Sequence, residues 1–214
     1  MSNSIPTIAV DVMGSDLGPE ELIIGVRQAL SSDKSDFRII VVGDDKVISP
    51  LLVRHDVLKD NRVQVYNASE VIEMDEKPIQ AMKTKRDSSM MRAIDLVKIG
   101  TADAVLSCGN TGALMAGGTI RLRTMDGIER PALGTVIPGK FKNFIMIDVG
   151  AAPDPKPESL VDNAILGANY AHVALGIKNP RVGLLSNGTE DCKGNSLVQT
   201  AHRLFKAQEG VINY

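Results

Sequence analysis

The chain has 214 residues, 24 basic and 26 acidic, and its formal net charge of −2 at pH 7 excludes the concentrated basic surface of a nucleic-acid-binding protein. Its two cysteines, Cys108 and Cys192, are too few for a disulfide framework and lack metal-ligand spacing, so we expect small buried thiols in a reducing cytoplasm. The first residues contain neither a basic head nor a long apolar stretch, which predicts no signal peptide and no membrane-spanning segment.

The first half of the chain alternates short β-branched runs with amphipathic stretches. Strands are predicted at residues 8–10, 37–42, 62–66 and 103–106. A helix is predicted from Pro19 to Leu30, with Leu22, Val26, Ala29 and Leu30 on its buried face. A weaker helical pattern follows the second strand, and Pro50 is expected to interrupt it. Ser88 or Ser89 is expected to cap a helix that ends at Gly100 and buries Met90, Ala93, Ile94 and Val97.

The second half continues the alternation. Residues 133–137 and 143–149 are predicted as an antiparallel strand pair, because five residues between them cannot form a crossover helix. Pro157 is expected to begin a long helix that buries Leu160, Ala164, Gly167, Ala168 and Ala171. The apolar run 182–185 precedes a last helix, which buries Leu197, Ala201, Leu204 and Phe205.

These patterns predict an α/β fold with an open, mostly parallel sheet covered by helices on both faces. No repeat or low-complexity linker marks a boundary, so we expect a single domain over residues 1–214. Residues 210–214 resemble the start of another buried strand, which predicts a protein truncated at its C-terminus.

Polar, glycine-containing segments follow four of the predicted strands, at residues 11–16, 107–112, 148–158 and 187–195. Open α/β sheets bind ligands outside the carboxyl ends of their strands. We therefore expect the four segments to converge on one edge and to form a shared site for an anionic ligand.

The segment 107–112 is the most informative of the four, because glycines lead from a strand directly into a helix. Backbone N–H groups and the helix dipole favour an anion at such a junction. The polar residues Asn110 and Thr111 between Gly109 and Gly112 suit a compact oxyanion such as phosphate. An ordinary turn that needs glycine for its backbone conformation explains the segment equally well.

Charged residues in the other segments have two interpretations. Lys156 and Lys193 lie among helix-start residues, where an ammonium group would complement bound phosphate, although a single lysine is more often a solvated surface residue. Asp11 and Asp148 end strands beside glycine, where a carboxylate is expected to accept backbone N–H groups or hold a lysine rather than act as a base. The three histidines, His55, His172 and His202, stand singly and are interpreted as structural.

A basic segment spans residues 76–86. Its cations are Lys77, Lys83, Lys85 and Arg86. They could face an acidic partner, but composition alone favours an ordinary charged helix surface.

Six motifs in order make the chain similar to the bacterial phosphate acyltransferases of phospholipid synthesis. The motifs are DVMGSD at 11–16, EKP at 76–78 through Lys85 to Ser88-Ser89-Met90, SCGNTGALMA at 107–116, DGIERPAL at 126–133, DVGA at 148–151 with KPE at 156–158, and KGN at 193–195. The resemblance implies transfer of a fatty acyl group from acyl-acyl carrier protein to inorganic phosphate, giving acyl phosphate for a membrane-bound glycerol-3-phosphate acyltransferase. It also implies an isocitrate and isopropylmalate dehydrogenase-like fold, a cytoplasmic homodimer that works near the inner face of the membrane, and no cofactor or metal.

On this reading three groups of residues form the site. Asn110, Lys156 and Lys193 are the candidate catalytic residues. Substrate binding is assigned to Asp11, Gly14, Ser88, Ser89, Gly109, Thr111, Gly112, Asp148, Gly150, Gly194 and Asn195. Contact with the acidic carrier protein is assigned to Lys77, Lys83, Lys85 and Arg86.

The chain departs from the usual wording of the family at several places. Ser15 stands where a second glycine is common, Ala152 where asparagine is common, and Pro155 where cysteine is common. Residues 186–190 read SNGTE instead of the more frequent NIGEE. These four departures concern the detailed geometry of the expected phosphate site and not the resemblance to the family.

Two other function classes stay open at this point. A nicotinamide-dependent dehydrogenase could use the same fold, although no GxGxxG follows the first strand. A noncatalytic scaffold that binds carrier protein is the other alternative.

Overall fold

A computed structural model describes residues 5–32, 36–190, 193–208 and 210–214. The chain forms two compact units, Met1–Arg123 and Thr124–Tyr214. No helix of the described residues is long and apolar enough to cross a membrane.

The first unit contains a four-stranded parallel sheet in the order β3-β2-β1-β4. Its strands are β1 (Thr7–Asp11), β2 (Arg38–Gly43), β3 (Val63–Asn67) and β4 (Ala104–Ser107). Its helices are α1 (Pro19–Leu30), α2 (Asp45–Arg54), α3 (Pro78–Thr84), α4 (Ser89–Lys98) and α5 (Thr111–Leu122), and a short 3-10 turn spans Val57–Lys59. The α/β class with a mostly parallel sheet is thereby confirmed.

Helices cover this sheet on both faces because alternate side chains of each strand point to opposite sides. Val10, Ile39 and Val41 pack on one side against α1 and α2, through Ile23 and Ile48. Ala9, Ile40 and Val42 pack on the other side, in a cluster with Ala93 and Leu96 of α4. Each fully buried aliphatic side chain contributes about 1.5–3 kcal/mol relative to exposure, so both layers stabilise the unit.

Helix α1 has the predicted bounds, but its buried stripe differs from the prediction. Ile23, Val26 and Leu30 are buried, whereas Ala29 is exposed. The large side chains at i, i+3 and i+7 take the core positions, and the small alanine lies beside them. Pro50 does not interrupt α2, which continues through it to Arg54.

The second unit contains an antiparallel strand pair and two helices. The elements are β5 (Gly134–Ile137), β6 (Phe144–Ile147), α6 (Pro157–Leu175) and α7 (Ser196–Lys206). The predicted antiparallel pairing is confirmed. Val161, Ala164, Ala201 and Phe205 form the core between the two helices.

The predicted strand at 182–185 is wrong. The described residues show only an isolated parallel bridge between Arg181 and Asn213, with Val182 N donating to Asn213 O at 2.8 Å. Val182 and Leu184 pack on the core, and no strand of the described residues lies beside them to continue a ladder. Residues 210–214 likewise contribute this bridge and the buried Ile212 rather than a strand.

Candidate functional site

The loops that follow β1 and β4 meet at the carboxyl edge of the parallel sheet. Asp11 and Ser107 are register partners at the ends of the two adjacent strands. A Cβ on Gly14 would lie 3.0 Å from Gly109 Cα, and a Cβ on Gly109 would lie 3.3 Å from both Gly14 Cα and Gly14 O. Both contacts are tighter than an ordinary Cβ contact, so a side chain at either position would require the facing backbone to shift by a few tenths of an ångström.

Asp11 joins these loops by hydrogen bonds. The carboxylate is 1% exposed, and its Oδ1 accepts from Met13 N at 3.1 Å. Its Oδ2 accepts from the Ser107 hydroxyl at 2.7 Å, and Ser107 Oγ in turn accepts from Gly109 N at 3.1 Å. The expected backbone-holding role of Asp11 matches this geometry, and Ser107 is a connecting residue that the sequence analysis did not single out.

Helix α5 begins at this meeting of loops. Asn110 is its N-cap, and Asn110 Oδ1 accepts from Ala113 N at 3.0 Å. Thr111 N and Gly112 N lie in the first turn, where no carbonyl of the helix can accept from them, and no other acceptor reaches them within the described part of the chain. The positive end of the helix dipole adds to their preference for an anion.

The Asn110 side chain is turned inward rather than toward a ligand. It is 6% exposed, and its Nδ2 lies 3.1, 3.2 and 3.0 Å from the carbonyl oxygens of Glu73, Met74 and Glu76. All of its polar atoms are thus engaged within the chain. Asn110 has the geometry of a residue that positions the loop 73–76 against the start of α5.

The basic segment has one lysine that is held internally. Lys85 Nζ lies 2.6 Å from both Val71 O and Glu76 Oε2. The hydrogen bond from Lys85 and one from Glu73 N lower the pKa of Glu76. Lys77, Lys83 and Arg86 are exposed, so these three cations are available at the surface of the first unit.

Ser88 and Ser89 begin α4 and are buried. Ser88 occupies the N-cap but makes no capping hydrogen bond, and its hydroxyl has no partner among the described residues. Ser89 N donates to Glu70 O at 3.0 Å. The two serines therefore anchor the end of the 70–76 loop rather than line an open surface.

Cys108 lies in the loop after β4 and is exposed, so the prediction of a buried thiol is wrong there. Gly109 and Asn110 take the buried positions of this loop, whereas Cys108 and Thr111 are exposed. Cys192 lies outside the described residues.

In the second unit, Asp148 organises the loop after β6. Its Oδ1 accepts from Leu133 N at 3.0 Å and Ala151 N at 2.9 Å, and its Oδ2 accepts from Ala152 N at 2.8 Å. Burial opposes ionisation of this carboxyl, but its backbone N–H donors together outweigh that effect and lower its pKa. Gly150, with φ of 125°, permits the turn that brings these donors to the carboxylate.

Lys156 is the N-cap residue of α6 and borders a cavity of about 70 Å³. Its ammonium group is 3.9 Å from Glu129 Oε1 and its side chain is 70% exposed. The positive charge of Lys156 lies beside the positive end of the helix dipole. An anion bound here would be stabilised by the lysine and by the helix together.

Lys193, Gly194 and Asn195 lead into α7. Asn195 is the N-cap, with its Oδ1 accepting from Val198 N at 2.9 Å. Gly194 has φ of 91° and its N donates to Asn187 Oδ1 at 2.9 Å. Lys193 is exposed, and its aliphatic stem lies against Gly188.

The structure brings together two of the four predicted loops, those after β1 and β4. The other two lie in the second unit, where β6 belongs to the antiparallel pair and residues 182–185 are not a strand. A single sheet edge that carries all four loops is therefore not observed.

The three histidines have local partners, as expected for structural residues. His55 Nε2 is 2.8 Å from Glu20 Oε1, His172 Nδ1 is 3.2 Å from Ile177 O, and His202 Nδ1 contacts the Tyr214 hydroxyl. Asn163, which borders the cavity beside Lys156, was missed, because an asparagine within a helical pattern carries no motif.

Comparison with known proteins gives a consistent result. The family described as fatty acid synthesis protein matches residues 6–214. Phosphate acyltransferase from Desulfitobacterium hafniense (strain Y51) is 44% identical over 207 residues, which are 97% of this chain and 60% of the relative. Phosphate acyltransferase from Pseudomonas savastanoi pv. phaseolicola is 43% identical over 211 residues, 99% of this chain and 61% of the relative.

A solved structure shares the fold. EutD phosphotransacetylase from Staphylococcus aureus superposes with a TM-score of 0.64 and 18% identity, over 95% of this chain and 64% of that protein. The chain spans about 60% of the length of the curated relatives that it matches. The resemblance seen in the sequence motifs is confirmed, and the chain belongs to the fatty acid synthesis protein family, with relatives named phosphate acyltransferase.

Proposed function

We propose that this protein takes part in transfer of a fatty acyl group from acyl-acyl carrier protein to inorganic phosphate, which yields acyl phosphate for phospholipid synthesis. The observation that carries the proposal is that no acceptor among the described residues reaches the N–H groups of Thr111 and Gly112, at an edge where two glycine-containing loops are held in contact. The name of the relatives, phosphate acyltransferase, supports this reaction class.

The chemistry needs an oxyanion held near a thioester carbonyl, and hydrogen-bond donors where negative charge develops in the transition state. Thr111 and Gly112 are assigned to hold an anionic group through their backbone N–H groups. Asp11, Gly14 and Gly109 position these donors through the contacts between the two loops. Asn110 positions the same helix start from within, because its own polar atoms are engaged.

In the second unit, Lys156 and Lys193 are assigned to attract and neutralise negative charge on the phosphate acceptor. Both are exposed lysines at the start of helices. Asp148 and Gly150 shape the loop before α6, while Gly194 and Asn195 shape the loop before α7. Ser88 and Ser89 support the first unit's site from beneath the 70–76 loop.

The acidic carrier protein is assigned to the exposed cations Lys77, Lys83 and Arg86. Lys85 belongs to the same surface but contributes through its ion pair with Glu76. Association through such charges weakens as salt rises. We further infer a cytoplasmic homodimer with an isocitrate and isopropylmalate dehydrogenase-like fold, which delivers acyl phosphate to a membrane-bound glycerol-3-phosphate acyltransferase at the inner face of the membrane.

The proposal is tested by mixing the 214-residue chain with acyl-acyl carrier protein and measuring free carrier thiol and acyl phosphate. The Desulfitobacterium hafniense relative serves as the positive control. We expect thiol release only when inorganic phosphate is present, and we expect Lys193→Ala to reduce it by about tenfold or more through lost charge complementarity. Lys178→Ala, which removes another exposed lysine of the second unit, is expected to change little.

Other outcomes identify the alternatives. Carrier binding with no phosphate-dependent thiol release would favour the noncatalytic scaffold. Reduction of a nicotinamide cofactor by a small hydroxy acid would favour the dehydrogenase. Equal rates in Lys193→Ala and Lys178→Ala would remove Lys193 from the mechanism.

A further inference from the structure

A cavity lies at the amino edge of the parallel sheet, within the first unit. Its volume is about 150 Å³, and it is bordered by the beginnings of β1, β2 and β3 and by the loop after α4. One water-sized group needs about 10–15 Å³ of such volume, so the cavity has room for about ten to fifteen non-hydrogen atoms. Each residue of a strand advances about 3.3 Å, so the length of β1 separates this cavity from the carboxyl edge by about 13 Å.

The register of the sheet brings the polar side chains of this cavity to one face. Thr7 is the register partner of Arg38, and Ile40 is the register partner of Gln64. Alternate residues of a strand point to the same face, so these side chains share the face on which Ile40 packs with Leu96 of α4.

The loop after α4 closes the cavity and is fixed to β1. Asp103 N donates to Thr7 O at 2.7 Å, and Thr7 N donates to Asp103 Oδ2 at 2.7 Å. Thr101 N donates to Leu96 O at 3.0 Å. Thr7 and Thr101 therefore border the cavity at positions that the backbone holds in place.

Arg62 is a cation of the wall whose charge is balanced within the chain. Its Nε and Nη2 donate to the two oxygens of Asp60 at 2.9 and 2.6 Å, and Nη2 also donates to Leu30 O at 2.7 Å. Arg62 is thus a fixed part of the wall, and we assign it no charge for a ligand.

Arg38 is the cation of the wall that lacks such a balance. Within the described ranges its guanidinium has neither an ion pair nor a hydrogen bond, and no described carboxylate borders the cavity. The side chains of Thr7, Gln64 and Thr101 also make no hydrogen bond to the part of the chain that the structure describes. The cavity therefore presents one positive charge together with neutral groups that both donate and accept.

These groups select a class of ligand. A guanidinium fork matches a carboxylate, and one positive charge balances it, whereas a phosphate monoester brings a charge of about −1.5 to −2 at pH 7. Hydroxyl and amide side chains suit the hydroxyls of a polyol, which also donate and accept. We propose that Arg38, Gln64, Thr7 and Thr101 form a binding site for a polyhydroxylated monocarboxylate, a sugar acid of about ten to fifteen non-hydrogen atoms. None of these residues belongs to the acyl-transfer assignment, so this site does not depend on that proposal.

The first test titrates the 214-residue chain with gluconate, glucose or octanoate at matched ionic strength, using calorimetry and the arginine Nε–H signals of a ¹⁵N-labelled sample. The Arg38 signal is assigned by its loss in Arg38→Gln. We expect gluconate to shift that signal and to bind at least about tenfold more tightly than glucose, which lacks the carboxylate, or octanoate, which lacks the hydroxyls. A stationary Arg38 signal, or equal affinity for either of the other two compounds, would overturn the proposal.

Arg38→Gln also tests the charge by affinity. We expect the variant to bind gluconate about tenfold more weakly or worse, because the carboxylate loses its cation. Arg54→Gln is the matched control, since Arg54 lies on α2, does not border the cavity and has a side chain that is 64% exposed. It should bind as the parent does, and thermal unfolding checks that both variants fold. Unchanged gluconate affinity in Arg38→Gln would overturn the site.

Gln64→Met tests recognition of the hydroxyls. Gln64 is exposed, and methionine keeps the length of its side chain while removing the amide. We expect the preference for gluconate over octanoate to fall by about tenfold, because the polyol loses a donor and an acceptor. Unchanged selectivity would contradict the assignment of a hydroxylated ligand.

A phosphorylated polyol tests the choice of anionic group. Glycerol 3-phosphate that bound at Arg38 more tightly than gluconate would overturn the carboxylate assignment.

This proposal and the acyltransferase proposal can fail separately. Gluconate binding that depends on Arg38, without any phosphate-dependent thiol release, would support the cavity site and count against acyl transfer. Thiol release without gluconate binding would have the opposite meaning.

Discussion

Asn110 illustrates how one buried amide can fix a loop. Its Nδ2 faces three carbonyl oxygens of the 73–76 loop and its Oδ1 caps α5. Removing the amide leaves these partly buried acceptors and the buried Ala113 N–H without their partner, at about 1–3 kcal/mol for a fully buried unsatisfied group. We therefore predict that Asn110→Ala lowers the free energy of unfolding by about 3 kcal/mol, as measured by urea denaturation.

The matched control for that prediction is Asn169→Ala. Asn169 is exposed, and among the described residues its side chain bonds only to Ile165 O of its own helix. Its replacement should change stability by less than about 0.5 kcal/mol. Equal losses in the two variants would show that the Asn110 clamp is not a significant source of stability.

At the level of single residues, the sequence allowed only part of the site to be predicted. A carboxylate that ends a strand beside glycine commonly accepts backbone N–H groups, and Asp11 and Asp148 do so. The inward orientation of Asn110 could not be predicted, since its partners lie 34–37 residues away in the chain. The burial of Asn163 beside the cavity at the start of α6 could not be predicted either, because it is a property of packing.

Helices α4 and α5 pack through a glycine, and this contact gives a prediction at the level of elements. A Cβ on Gly117 would lie 2.8 Å from Ile94 Cδ1 and 3.2 Å from Met91 Sδ, whereas a Cβ on the adjacent Gly118 meets nothing within 4 Å. Gly118→Ala should therefore stabilise the protein by about 0.8 kcal/mol through helix propensity.

Gly117→Ala gains the same propensity but must displace buried side chains, which costs about 1–3 kcal/mol. We expect a net loss of about 1 kcal/mol in the free energy of unfolding. Chemical denaturation of the two single variants measures the difference. A result in which both are equally stabilised would show that Ile94 moves aside freely.

Elements with a strong local pattern were predicted well. Helix α1 has a proline at its first position and acidic residues in its first turn, and its bounds match the prediction. Residues 182–185 have the apolar composition of a strand, but a strand forms only where a neighbouring chain segment supplies a ladder. Only the bridge from Arg181 to Asn213 is available among the described residues, so composition alone gave the wrong result.

For the molecule as a whole, two ion-paired aspartates predict how stability depends on pH. Hydrogen bonds from Ser69 and Arg92 lower the pKa of Asp87 from 3.8 to about 2, and hydrogen bonds from Arg62 lower the pKa of Asp60 from 3.8 to about 2. The unfolded chain therefore binds more protons than the folded one between these values. This contribution to stability is complete above about pH 4 and is lost as pH falls toward about 2.

Asp87→Asn tests this acid dependence. We expect the variant to be less stable than the parent at neutral pH, and the difference to shrink as pH falls from about 4 to about 2. The free energy of unfolding, measured by denaturant at each pH, gives the comparison. Asp75→Asn is the control, since Asp75 is exposed and has no hydrogen bond or ion pair in the described part of the chain. A pH-independent difference for Asp87→Asn would contradict the assignment.

At this scale the α/β class and the family could be predicted, because alternating periods and six ordered motifs are properties of the sequence itself. The division into two compact units could not, since no linker composition marks Arg123 or Thr124. The placement of a loop beside a particular sheet depends on long-range pairing, and the segments at 148–158 and 187–195 have no local pattern that specifies it.

The close approach of Gly14 to Gly109 couples the effects of substitutions in two segments that are far apart in the chain. Neither position can accept a methyl group unless the opposite backbone retreats, so substitutions in one loop are tolerated only in the context of the other. A chimera that imports the segment after β1 from a relative would need the matching segment after β4 as well. The loops after β1 and β4 therefore have to be exchanged together.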